Sequence, residues 1–67
     1  MKLNDKVVAK KEIVGFLTNS NVLCTIPIGS AGTIVKTYSD EGVVFEVVFA
    51  NYGQHEFFCF ADEIGIE

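Results

Sequence analysis

Few side chains in this sequence could do chemistry. They are one histidine, His55, two cysteines, Cys24 and Cys59, and two adjacent carboxylate pairs, Asp40-Glu41 and Asp62-Glu63. A structural zinc site needs Cys and His at short, regular spacings. No Cys-x-x-Cys occurs and the three residues do not make such a set. His55 and Cys59 invite a test as a base and nucleophile. If they lie on one strand they share a face, but residues four apart stand about 13 Å from each other along it. That is far beyond the hydrogen-bond reach such a pair needs. His55 is therefore read as an ordinary surface or edge residue and Cys59 as a core or interface residue. Glycosidic chemistry needs two carboxyls flanking a cleft, one with its pKa raised by burial. Neighbours in sequence do not provide that. Gly29-Ser30-Ala31-Gly32 lacks the Lys-Ser/Thr of a phosphate loop, and a strand rather than a helix follows it. Its glycines are assigned to turn geometry. The expectation is a non-enzymatic protein with no catalytic residue, no cofactor and no bound metal.

The composition sets what elements can carry any other role. The sequence is 67 residues long, one domain over residues 1–67, with 49% hydrophobic residues and six Phe. A chain of this size buries only about 60% of the surface its unfolded form exposes, so its core is marginal. Two cysteines are no disulfide framework, and both are expected to be reduced and slow to react. There is no signal-peptide pattern, and the apolar runs stop well short of the ~20 residues of a bilayer span. A cytoplasmic protein without a membrane segment is expected.

Net charge is −4 from five Lys and nine Asp or Glu, with no Arg. Lys2, Lys6, Lys10 and Lys11 open the chain, while Asp40, Glu41, Glu46, Glu56, Asp62, Glu63 and Glu67 follow residue 39. Nucleic-acid readers rely on clustered cations, and on Arg above all. The composition argues against a duplex-binding role.

Period-two alternation is the strongest pattern. Residues 43–49 read Val-Val-Phe-Glu-Val-Val-Phe, which gives one fully apolar face at Val43, Phe45, Val47 and Phe49. Residues 32–38 are β-branched and aromatic, joined to 43–49 through the turn-rich Ser39-Asp40-Glu41-Gly42. A second hairpin runs through residues 50–54 into 55–60. Short strands are predicted at 6–10 and 64–66, with one helical turn at Ala61-Asp62-Glu63 between the last two strands. The segment 11–31 is too long to be structureless. It is read as an arched, partly hairpin-like excursion turning at Asn19-Ser20-Asn21.

Short strand, arched loop, three-strand meander, single turn and short last strand is the order of an SH3-like barrel. Three strings sharpen the likeness. Ile26-Pro27-Ile28-Gly29-Ser30-Ala31-Gly32-Thr33-Ile34-Val35 resembles the "P-x-G-x-x-G-T-V-V" approach to the second strand in small bacterial SH3-like domains. Phe45-Glu46-Val47-Val48-Phe49 is similar to their "Y-x-V-x-F" third strand. Phe60-Ala61-Asp62-Glu63-Ile64-Gly65-Ile66 is similar to their closing strand. The resemblance covers residues 5 to 67 and points to DUF4926-type domains, which share their fold with the small SH3-like protein of photosystem I and with the ferredoxin–thioredoxin reductase variable chain. It implies an all-β, five-stranded antiparallel barrel with a long loop between strands 1 and 2. These motifs are structural glycines and core residues, so they specify fold rather than function.

The functional signal is an excess of apolar side chains. With Phe45, Val47 and Phe49 inward, Val44 and Val48 point outward beside Glu46. Glu56, Phe58 and Phe60 share one face of the next strand, and His55, Phe57 and Cys59 share the other. A small barrel cannot cover both faces. Some of Phe57, Val44 and Val48 are expected to be exposed, or covered by the long loop. Contiguous exposed apolar surface marks binding. The reading is a protein-interaction module, an accessory or regulatory protein, with Val44, Glu46, Val48, Phe57, Tyr38 and Tyr52 as candidate contacts and a homodimer or a protein partner as occupant. One alternative is a phage-encoded acidic inhibitor of a host defence nuclease, its carboxylates standing in for phosphates. The other is a nucleic-acid-binding barrel of KOW or Tudor kind, using Tyr38 and Tyr52 beside Lys36.

Overall fold

The computed structural model describes residues 1–17, 20–38 and 44–67. Among these, seven strands occur in the order β1 (Lys6–Ala9), β2 (Ile13–Phe16), β3 (Leu23–Ile26), β4 (Ala31–Thr37), β5 (Val44–Phe49), β6 (Glu56–Phe60) and β7 (Ile64–Ile66). Five of them form one antiparallel sheet in the order β6-β5-β4-β1-β7, and β2 and β3 form a separate hairpin. All described elements are strands, and no helix among the described residues is long and apolar enough to cross a membrane.

The five segments expected as strands all lie in the main sheet, with ends shifted by a residue or so. Two expectations are corrected. The described strands number seven, because the excursion between β1 and β4 folds into the β2–β3 hairpin. The main sheet is also open, with β6 and β7 as its two edges, rather than a closed barrel. The hairpin pairs Ile13 with Ile26 and Phe16 with Leu23. Its loop is closed by the Leu17 N–H to the Val22 carbonyl, 3.0 Å, and by the Ser20 hydroxyl oxygen, which accepts from the Val22 N–H at 2.8 Å. The expected helical turn at Ala61-Asp62-Glu63 is a tight turn, closed by the Glu63 N–H to the Phe60 carbonyl. Asn19, the link at 39–42 and Val43 lie outside the described residues.

The alternation along β5 does what its pattern dictates. Phe45, Val47 and Phe49 are buried, and they join Val7, Ala9, Ile34, Phe57, Cys59 and Ile64 from the sheet and Ile13 and Ile26 from the hairpin in one core. Without the hairpin this face of the sheet would be bare. Two aliphatic anchors at its open end, Ile13 and Ile26, hold it there, each worth about 1.5–3 kcal/mol when fully covered.

Two glycines contribute by different means. Gly29 has φ +89°, a left-handed conformation that costs a residue with a Cβ. It closes the turn before β4, where its N–H donates to the Ala9 carbonyl at 2.8 Å. Gly32 is not a turn residue, so the turn role expected for it is corrected. It sits inside β4, between Val7 and Phe49 across its two neighbours. A Cβ there would stand 2.7 Å from Cγ1 of Val47.

A bulge decides the outer face. The β4–β5 register shifts between Ile34 and Lys36, so Ile34 faces Val47 while Lys36 faces Glu46. The extra residue, Val35, reverses the alternation along β4. Lys36 and Tyr38 therefore lie on the outer face with Thr33, where simple alternation would have placed them inward with Ile34.

Candidate functional site

The outer and inner faces of β5 and β6 meet different surroundings, and the site arises where they end. On β6 the burial alternates: Phe57 and Cys59 are buried while Glu56, Phe58 and Phe60 are exposed. Phe57 is covered by the hairpin. The Gly15 backbone lies so close that a Cβ on it would be 3.0 Å from Cδ1 of the Phe57 ring. Phe49 and Tyr52 meet the same ring edge-on at 6.0 and 6.3 Å between centroids. Phe57, at 2% exposure, is thus part of the core. The excursion does part of the covering weighed for it.

Covering Phe57 leaves another surface open. Val14 and Phe16 of β2 point away from the core, Phe16 with 60% of its surface exposed, and Phe58 of β6 has 64% exposed. Together with Gly15, Leu17, Ser20, Glu46, Glu56 and Phe57 they line one groove of about 530 Å³ between the hairpin and the edge of the sheet. Pockets that accept ligands or anchoring side chains run from about 300 to 1,000 Å³. Among the described residues its walls are largely apolar, and the polar side chains lining it are two carboxylates and a hydroxyl.

The carboxylates have distinct settings. Glu46 lies on the outer face but only 7% of it is exposed. Its Oε1 accepts the Tyr38 hydroxyl at 2.6 Å, a short charge-assisted bond. That bond raises the Tyr38 pKa above the ordinary 10.0, since ionising the phenol would set two negative charges face to face. Tyr38 in turn leans on Phe58, 5.5 Å between ring centroids, and the Lys36 ammonium lies 5.1 Å from the Tyr38 ring. Lys36, Tyr38, Glu46 and Phe58 thus form one row across the outer face beside the groove. Glu56 is exposed at the start of β6, opposite Val48 in β5.

The remaining sequence candidates are placed as follows. Val44 and Val48 are half-buried on the outer face, Val44 opposite Phe60. Val48 borders a shallower hollow of about 330 Å³ that also touches Lys6, Thr33 and Gly53. Tyr52 is half-buried with its hydroxyl 3.4 Å from the Thr25 carbonyl, pinning β3 to the β5–β6 loop. Of the six candidates, Glu46 and Phe57 line the groove and Tyr38 adjoins it, while Val44, Val48 and Tyr52 lie elsewhere. The groove's apolar wall was missed. Val14, Phe16 and Phe58 belong to runs with hydrophobic residues on both faces, and such runs carry no internal mark of which face is covered.

The thiols are unpaired, Cys24 half-buried and Cys59 buried. Burial, with the Glu63 carboxylate adding to it, pushes the Cys59 thiol up to about 12, so it stays protonated at neutral pH. The thiolate is the reactive form. Among the described residues no group of three His, Cys, Asp or Glu side chains is arranged to hold a metal ion. Two lysines of the opening segment are engaged away from the groove. Lys6 donates to the Thr33 hydroxyl and Lys11 pairs with Asp62 at 3.0 Å, which lowers the Asp62 pKa. Comparisons with protein-family models, with curated proteins and with solved structures return no match.

Proposed function

We propose that this protein is a non-enzymatic protein-interaction module, of SH3-like plan, whose docking surface is the groove between β2 and β6. The observation that carries it is the convergence of Val14, Phe16 and Phe58 on one groove, in a chain whose largest buried side chains are used to fill its own core. Side chains of this size gain about 1.5–3 kcal/mol each when fully covered. A partner that covers several of them recovers what a 67-residue domain cannot bury alone. The SH3-like plan is supported by the β4-β5-β6 meander, by β7 returning beside β1, and by the arched segment between β1 and β4.

The test uses Phe16→Asp with Phe58→Asp. Both side chains are mostly exposed, so the variant is expected to melt within a few degrees of the parent, as surface changes usually do. Affinity capture from the native host, read by mass spectrometry, should lose its specific partner in the double variant. Val44→Lys with Val48→Lys serves as the comparison, because neither residue lines the groove although both share the outer face of β5 with Glu46. If that pair abolishes capture and the groove pair does not, the docking surface is the outer sheet face and the groove assignment is wrong. The nucleic-acid alternative has Lys36 over Tyr38 in its favour, but Glu46 stands beside them. It would require binding that falls steeply with salt in a shift assay.

A further inference from the structure

The groove is anionic as well as apolar. Resting on the docking role proposed above, we infer that its occupant is an extended peptide segment alternating Lys or Arg with aliphatic residues, added as a strand along the outer edge of β6.

Three features converge on this occupant. The first is charge. Glu46 and Glu56 line the groove, and among the described residues no lysine does. Lys6 and Lys11 are engaged elsewhere, with Thr33 and Asp62, and Lys36, opposite Glu46 beside the groove, lies against the Tyr38 ring. A cationic partner is complementary to this end of the molecule, and a copy of the same chain, itself at −4, would set carboxylates against carboxylates.

The second is the edge. In the main sheet β6 has one neighbour, β5. The Phe60 N–H donates to Oε1 of Glu63 at 2.7 Å, so at that residue the backbone turns away from β5. In an antiparallel pair this orientation repeats every second residue. Phe58, which lines the groove, therefore directs its own N–H and C=O away from β5. Strand addition to such an edge supplies main-chain hydrogen bonds, and the side chains on the two faces supply specificity.

The third is the difference between those faces. Glu46, Glu56 and Phe58 all belong to the outer face of the β5–β6 pair, with Glu46 directly opposite Phe58 and Val48 opposite Glu56. Phe57 belongs to the inner face, under Gly15 and beside the hairpin. An added strand lays alternate side chains on the two sides. One set meets the Glu56 carboxylate and the exposed Phe58 ring, with the buried, Tyr38-bonded Glu46 behind them, which suits cations. The other set meets the apolar hairpin wall. The alternation of cationic and aliphatic residues follows from that asymmetry.

The test is fluorescence anisotropy and amide chemical-shift mapping with a short labelled peptide alternating lysine and valine. It is compared with a peptide bearing glutamate for lysine and with a lysine peptide N-methylated at alternate backbone nitrogens. The lysine peptide is expected to bind, to weaken as salt rises, and to shift the amides of β6. Phe58→Ala should weaken it about tenfold, as truncation of an aromatic anchor does. Glu56→Lys should weaken it about twofold to fivefold, the range of an exposed ion pair, and strengthen the glutamate peptide. Equal binding of the glutamate peptide overturns the charge assignment, and equal binding of the N-methylated peptide overturns strand addition. If no peptide binds while the Phe16→Asp, Phe58→Asp variant still loses its natural partner, the cationic strand is wrong and the docking groove stands. Retention of that partner removes both. Self-association dispersed by the same double variant assigns the groove to a second copy and overturns the inference.

Discussion

Gly32→Ala should destabilise this protein, against what a strand position would suggest from its sequence. Alanine restricts the unfolded chain, which by itself stabilises by about 0.4–1 kcal/mol where the native backbone tolerates it. Gly32 does not have a positive φ, so the backbone raises no objection. The surroundings do. An added Cβ would lie 2.7 Å from Val47 Cγ1, 3.0 Å from Phe49 Cδ1 and 3.0 Å from the Val48 carbonyl oxygen. Ordinary carbon contacts are about 3.5–4.0 Å. Val47 is stiff at χ1 and fully buried, Phe49 is fully buried, and the third neighbour is backbone, so none can yield cheaply. Overpacking of this kind costs about 1–3 kcal/mol. Against the entropic gain, the net loss is about 1–2 kcal/mol, a large part of the roughly 3–10 kcal/mol expected for a domain of this length. At about 4–8 °C per kcal/mol, the melting midpoint falls by about 5–15 °C. Gly65→Ala is the paired control. Its Cβ would meet Cδ of Lys10 at 2.8 Å, but that is the stem of an exposed side chain free to swing aside. It should melt at or slightly above the parent temperature. Both variants are read by circular dichroism on heating and by urea titration. A Gly32→Ala protein as stable as the parent would mean that β4 and β5 are not packed at this spacing, and the reasoning would fail.

Cys59 makes stability depend on alkaline pH. Its folded pKa, about 12, is above the ordinary value of 9.0, so the native state holds the proton more tightly than the unfolded one. The contribution is intact below pH 9 and is lost as pH rises toward 12; Cys59→Val should flatten that fall in urea titrations, and an unchanged slope would refute it. Thiol reagents should modify half-buried Cys24 first, with Cys59 reacting only as fast as the protein opens, and equal rates would contradict its burial. In ultraviolet titration Tyr38 should ionise above the usual tyrosine value, and Glu46→Gln should bring it back down. A Tyr38 titration unmoved by that substitution would remove the Tyr38–Glu46 bond as its cause.

The sequence by itself determined the strands and one face of the core. Val, Phe and Ile at every second position of 43–49 and its neighbours leave no other periodicity, and pleated backbone puts such residues on one side. The short strands at both ends and the meander between them were legible for the same local reason, with turn residues marking the breaks. What the tertiary structure decided is non-local. Phe57-Phe58-Cys59-Phe60 is apolar on both faces, so alternation is silent about which ring is core. The answer comes from the hairpin, which lays Gly15 over Phe57 and leaves Phe58 in the groove. The bulge at Val35 carries no composition signal, yet it turns Tyr38 outward onto Glu46 and buries a carboxylate that alternation would leave in water. Closure depends on pairing between segments distant in the chain, here β1 with β7 and β4, which leaves β6 as an edge beside the hairpin. A local pattern fixes which residues share a face; only the assembled sheet fixes what that face meets.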